Sequence, residues 1–159
     1  MLKITFVCLG NICRSPMAEL IFKHLSRERG LAGLDIDSFG TSDEEEGNPI
    51  YPMIKRVLDE NGIEGEHTAK QLKLSDVQAA DLLLVMDSAN LRDVFMLTKG
   101  AYHEKVKKLG DFTGTPHNIV DPWYTRDPQT AYNDVYSSCV ALMDYVEQNF
   151  ADKLSRKMP

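Results

Sequence analysis

Cysteine is scarce in this chain, long apolar runs are missing and positive charge is in deficit, and each shortage closes off a class of protein. Three cysteines in 159 residues, Cys8, Cys13 and Cys139, are an odd number and too few for a disulfide framework. The four histidines, His24, His67, His103 and His117, are scattered, so no Cys/His set has zinc spacing and no metal is expected. In a reducing compartment, a close pair such as Cys8 and Cys13 points instead to reactivity or redox sensing. No stretch approaches the ~18 apolar residues of a membrane span, and the run after Met1 is shorter than the core of a secretory signal. A soluble, cytoplasmic monomer is the expected state. There are 24 acidic residues against 18 basic ones, a formal charge of −6. That balance argues against broad binding to nucleic acid or an anionic membrane, and leaves room for one local anion site.

What is present fits one globular domain. Hydrophobic residues make up 43% of the chain and charged residues 26%, close to the globular average. Neither repeats nor low-complexity segments divide it. Leu2 to Val7 reads as a β-strand. Ser15-Pro16 reads as a helix start with Ser15 as cap, followed by Met17, Leu20, Ile21 and Leu25 at helical spacing and Gly30 as the stop. A second strand is expected over Asp35–Phe39 and a helix over Ile50–Asn61, closed by Gly62. The run Leu82-Leu83-Leu84-Val85-Met86 is the pattern of a strand buried on both faces of a parallel sheet. Asp87-Ser88 caps a helix through Thr98, Lys105–Leu109 is a weaker fourth strand, and Ala131 to Phe150 marks a long amphipathic helix with Cys139 on its apolar face. This alternation predicts an α/β fold: a four-stranded parallel sheet with helices on both faces, spanning 1–150, with 151–159 as a flexible tail. Ligands on such sheets gather at the carboxyl ends of strands, so the place to look is just after Val7.

The residues there are Cys8-Leu9-Gly10-Asn11-Ile12-Cys13-Arg14-Ser15-Pro16. A loop closing on a helix N-terminus turns backbone N–H groups inward and makes a nest for a phosphate-like oxyanion. Gly10 and Asn11 tolerate the backbone angles such a nest needs. Arg14 supplies a two-pronged contact to phosphoryl oxygens and a charge that does not titrate away. The helix dipole and Arg14 favour a thiolate at Cys8, and Ser15 is placed to donate to the sulfur. A thiolate beneath a bound phosphoryl group is a nucleophile set for in-line attack. A Walker loop is excluded, since no Gly-Lys-Ser/Thr follows, and a dinucleotide fingerprint is excluded because Gly10 stands alone.

Val-Cys-Leu-Gly-Asn-Ile-Cys-Arg-Ser-Pro, residues 7–16, resembles the signature of the low-molecular-weight protein tyrosine phosphatases, and the likeness runs from residue 3 to about 150. The resemblance implies a flavodoxin-like fold, no cofactor, and hydrolysis of phosphotyrosine in proteins or peptides with inorganic phosphate as product. It implies Cys8 as nucleophile, Arg14 and the loop Leu9, Gly10, Asn11, Ile12, Cys13 and Ser15 as the phosphate site, and a reversible protective disulfide between Cys8 and Cys13. It also implies that Ser38 and His67 hydrogen-bond the motif asparagine and serine.

Expelling a phenolate requires a proton donor, and the nucleophile's loop holds no carboxyl. Asp121-Pro122-Trp123-Tyr124 is the best candidate. Pro122 holds Asp121 extended, and Trp123 and Tyr124 can wall a slot for a phenyl ring beside Ile12. The resemblance carries the acid's role to Asp121, with Trp123 in place of the commoner tyrosine and Thr125 in place of glycine. At the opposite wall, where the family often has an aromatic, stand Asp43, Glu44, Glu45 and Glu46. These four acids read as a solvated loop, or alternatively as a filter that repels acidic phosphopeptides. Competing functions are phosphoarginine hydrolysis, arsenate reduction and silent phosphoprotein binding. Ile12 stands where the arginine-directed relatives carry threonine. No cysteine lies within 80–100, where the reductases carry theirs, and Cys8, Arg14 and Asp121 are all intact.

Overall fold

A computed structural model describes residues 1–156. Its strands and helices run in the order β1 Leu2–Cys8, α1 Arg14–Glu28, β2 Leu31–Ala32, β3 Leu34–Gly40, α2 Pro52–Glu60, α3 Leu74–Ala79, β4 Leu82–Val85, α4 Ser88–Thr98, β5 Val106–Lys108, α5 Pro122–Thr125, α6 Pro128–Asn149 and β6 Ser155–Arg156. The main sheet is parallel in the order β3-β1-β4-β5. From β1 the sheet grows in opposite directions, to β3 on one side and β4 on the other, so its carboxyl end is a topological switch point, where crevices open in such sheets. Cys8 is the last residue of β1.

Period-two alternation along the central strands builds two cores. Ile4, Phe6, Cys8, Leu82, Leu84 and Met86 join the cluster containing α1 and α6 residues, among them Phe22, Leu142 and Val146. Val7, Leu83 and Val85 face the other way, with Val77 of α3, Val94 of α4 and Val106 of β5. Phe6 and Phe22 meet edge-on at 5.5 Å between ring centroids. Both faces being dry explains the unbroken Leu-Leu-Leu-Val of β4. Cys139 is fully buried in the first core, and burial pushes its thiol pKa up.

Two local expectations change, and a third holds with an added role. Ser15 is not the helix cap: α1 starts at Arg14, Cys13 occupies the cap position without a side-chain bond, and the Ser15 hydroxyl is drawn to Cys8 instead. Asp87 does cap α4, accepting from the Asn90 amide, yet the same carboxylate also binds Arg14. The segment expected as a flexible tail holds a 3-10 turn at Ala151–Lys153, and β6 pairs antiparallel with β2, with Leu154 packed on the core. Residues 157–159 of that segment lie outside the described residues. Among the described residues, no helix is long and apolar enough to cross a membrane.

Candidate active site

The loop after β1 curls under itself and enters α1. Asn11 takes a left-handed backbone at φ 60°, which asparagine tolerates better than most residues, and its amide N–H points at the Cys8 sulfur from 3.3 Å. The loop lies tight against the end of β3. A Cβ on Gly40 would stand 2.8 Å from the Leu9 carbonyl oxygen and 3.1 Å from the Asn11 Cβ, so only glycine fits there.

Asn11 is also the hub of a buried network, and the proton directions follow from its partners. Its Oδ1 accepts from the Lys70 backbone N–H at 3.0 Å, which fixes the amide's orientation. Its Nδ2 therefore donates to Ser15 Oγ at 2.8 Å and Ser38 Oγ at 3.1 Å. Ser15, accepting there, has its hydroxyl proton available for Cys8 Sγ at 3.0 Å. Ser38 passes its own proton toward Glu19 Oε1 at 2.7 Å, and His67 Nε2 lies 2.7 Å from Asn11 Oδ1. The two residues named as second supports, Ser38 and His67, thus meet at Asn11. Glu19 joins them, although nothing in the sequence marks it. At four residues from Lys23 it reads as a surface pair, yet it is 5% exposed and 3.3 Å from His67 Nδ1.

Arg14 is 2% exposed. Its Nη1 donates to Asp87 Oδ2 at 2.7 Å and to the Ile119 carbonyl at 2.8 Å, and its Nη2 lies 3.5 Å from Asp121 Oδ2. Burial alone would lower its pKa, but Cys8, Asp87 and Asp121 outweigh that and raise it, so the guanidinium stays charged. Burial acts against the Asp87 carboxylate too, yet Arg14 and the Asn90 amide hold its pKa below the ordinary value. The Cys13 thiol is pushed up by burial and by the neighbouring Cys8 and Asp121 charges, which keeps it protonated.

Asp121 sits at the N-cap of α5, where its Oδ1 accepts from the Trp123 amide at 3.0 Å, and Pro122 occupies the first turn. The cleft is lined by Cys8, Leu9, Gly10, Ile12, Cys13 and Arg14 on one side. Ser42, Glu44, Glu45, Asp121, Trp123 and Tyr124 complete it. All four expected wall residues, Ile12, Glu44, Trp123 and Tyr124, are there. Asn11 and Ser15, grouped by sequence with the phosphate contacts, are absent from this lining because their side chains are engaged in the network around Cys8. Ser42 and Glu45 are additions; the acid run pointed to Glu45, but nothing in the sequence marked Ser42.

Residues 3–159 match the family described as low molecular weight phosphotyrosine protein phosphatase. The chain belongs to that family. A low molecular weight phosphotyrosine protein phosphatase of Schizosaccharomyces pombe is 37% identical over 158 residues, 97% of each chain. The structure of SP-PTP, a low molecular weight protein tyrosine phosphatase from Streptococcus pyogenes, is similar with a TM-score of 0.80 at 32% identity, covering 94% of this chain and 93% of that one. The Drosophila arginine phosphatase DARP gives a TM-score of 0.87 at 27% identity, covering 93% and 99%. In this low molecular weight phosphatase, nucleophile candidate, guanidinium and carboxyl candidate therefore share one cleft on the family's fold.

Proposed function

We propose that this phosphatase hydrolyses phosphotyrosine in proteins or peptides through a cysteinyl-phosphate on Cys8, with Asp121 as the proton donor. The observation that carries this reading is the convergence of Cys8, Arg14 and Asp121 on one cleft, with Arg14 and Asp121 3.5 Å apart. The Cys8 thiolate attacks phosphorus as the bond from phosphorus to the phenolic oxygen breaks, and Asp121 gives that oxygen its proton. Water then attacks the cysteinyl-phosphate, Asp121 takes a proton back, and inorganic phosphate leaves with the thiolate restored. Arg14 and the loop amides hold the equatorial oxygens, as fixed donors aimed at the charge that develops in the transition state.

Ile12 and Trp123 favour an aromatic substrate over a phosphorylated guanidinium, because they offer apolar faces and no polar partner for nitrogen. Glu44 and Glu45 at the mouth disfavour acidic flanking residues. Inorganic phosphate should therefore be released from phosphotyrosine peptides, undiminished by a chelator, and faster with basic than with acidic flanks at low salt. A clear preference for phosphoarginine over phosphotyrosine, or loss of activity on chelation, would overturn this reading.

Redox behaviour follows from the two loop cysteines. Both are free and buried in the same loop, and Cys13 stays protonated, so Cys8 is the group an oxidant reaches first. Peroxide converts its sulfur to a sulfenic acid, and the Cys13 thiol condenses with it to a disulfide, releasing water. Peroxide-treated protein should regain activity with dithiothreitol, and Cys13→Ser should regain markedly less. Equal recovery of the two proteins would remove the protective role.

A further inference from the structure

The segment carrying the proton donor is anchored at its base and exposed beyond Pro122. Ile119 is fully buried, and its N–H donates to the Met86 carbonyl at 2.9 Å. From Trp123 to Asp127 every residue is exposed. Arg126 lies in this stretch, at the left-handed end of α5 (φ 58°), a conformation uncommon outside glycine and asparagine.

Its side chain reaches across to a different part of the molecule. Arg126 Nη2 donates to the Tyr51 hydroxyl at 3.1 Å, and Nη1 lies 3.4 Å from the Trp123 carbonyl oxygen. The guanidinium stands over both rings, 5.4 Å from the Tyr51 centroid and 5.8 Å from that of Trp123. The two rings themselves meet at 4.8 Å. Tyr51 is tied in turn to the phosphate loop, because its backbone N–H donates to the Ile12 carbonyl at 2.9 Å. A chain of contacts therefore runs from Ile12 through Tyr51 and Arg126 to Trp123, whose amide holds Asp121 Oδ1.

We propose that Arg126 is a positioning residue: its planar fork latches the Asp121 segment to Tyr51 and so sets the proton donor's place over the phosphate loop. The inference rests on Asp121 being that donor. A cation held over two ring faces gains from both, and a guanidinium can also bridge two acceptors in one plane, which an ammonium cannot. Releasing the latch leaves the nucleophile and Arg14 untouched, and lets the carboxyl wander from the leaving oxygen. Its loss should therefore be felt in proportion to the leaving group's need for a proton.

The test is the rate of cysteinyl-phosphate formation, measured in single turnovers with phosphotyrosine and with nitrophenyl phosphate. Arg126→Ala keeps the Cβ and its backbone preferences. It should slow phosphotyrosine about 10-fold and nitrophenyl phosphate less than about 3-fold, since a small misplacement of a reacting group costs on this scale. Tyr51→Phe, which removes only the hydroxyl, should show the same pattern more weakly. In an Asp121→Asn background, Arg126→Ala should add nothing. Equal slowing of both substrates, a further loss in the Asp121→Asn background, or full rescue by Arg126→Lys would show that Arg126 acts as a charge on the substrate and would overturn the latch. No slowing at all would overturn it too. If Asp121→Asn itself slows both substrates alike, the donor assignment falls and the latch with it.

Discussion

Replacing Cys8 by serine should abolish turnover while leaving oxyanion binding in place. A serine hydroxyl in the same position is not ionised near neutral pH, and neither group that touches the Cys8 sulfur, the Ser15 hydroxyl or the Asn11 backbone N–H, is a base that could take its proton. The Ser15 hydroxyl lies 3.0 Å from Cys8 Sγ and, with Asn11 donating to its oxygen, can turn its own proton to the sulfur. The Asn11 amide adds a second donor at 3.3 Å. Neither contact can generate an alkoxide from a serine at this position. The expected loss exceeds ~10³-fold, or more than about 4 kcal/mol in the barrier. Phosphate or vanadate should still bind, through the loop amides and Arg14, whose anchors on Asp87 and Ile119 do not involve the sulfur. Steady-state assay with calorimetric titration of the anion checks both halves. Ordinary turnover by the purified variant would end the covalent mechanism, whereas lost turnover with lost anion binding would point to a collapsed loop instead.

The second large effect is expected at Asp121. An acid helps in proportion to how badly the leaving oxygen needs its proton. Tyrosine leaves as a basic phenolate, with a pKa of about 10 for its phenol, whereas a nitrophenolate is far less basic. Asp121→Ala should slow cysteinyl-phosphate formation from phosphotyrosine by ~10²–10⁴-fold, the range typical of general acids, and from nitrophenyl phosphate much less. The comparison belongs to the first step, because hydrolysis of the intermediate is common to both substrates. Substrate should also linger on this variant, since Cys8 and Arg14 remain. Equal slowing of the two substrates would remove Asp121 from the role. Asp127, the next carboxyl along, is already committed as the cap of α6, accepting from the Thr130 amide at 3.1 Å and the Thr130 hydroxyl at 2.7 Å. Asp127→Ala, which removes the cap, should accordingly lower the melting temperature with little leaving-group dependence.

These two residues differ in how far the sequence around them reveals their chemistry. Cys8 to Pro16 is one unbroken stretch, and the chemistry of a strand end, a glycine-asparagine turn and a helix start can be read locally. The buried run of β4 and the apolar spacing of α1 and α6 are legible for the same reason: periodicity reports which face of an element is dry. Asp121 stands 113 residues from Cys8, and only the resemblance of Asp-Pro-Trp-Tyr to a family motif singled it out from a turn with two aromatics. Short elements escaped altogether. α3 has six residues and one buried side chain, Val77, too little for a period to show. β2 and β6 are two residues each and exist as strands only because they pair.

By itself, then, the sequence determined the strand–loop–helix that carries the nucleophile, the double-sided burial of the sheet and the family. Tertiary structure alone decided what surrounds each charge. Arg14 is held by Asp87 and Ile119, 73 and 105 residues away, and no local pattern pairs it with either. Glu19 has the spacing of a solvent-facing partner to Lys23, yet β3 and the loop before α3 close over it and bring Ser38 and His67 to its carboxylate. Arg126 reads as one more surface cation until Tyr51, 75 residues earlier, is folded against it. The physical reason is the same in each case. Side-chain periodicity is a property of one element and reports burial, whereas a hydrogen-bond partner belongs to another element and depends on how the sheet brings the two together.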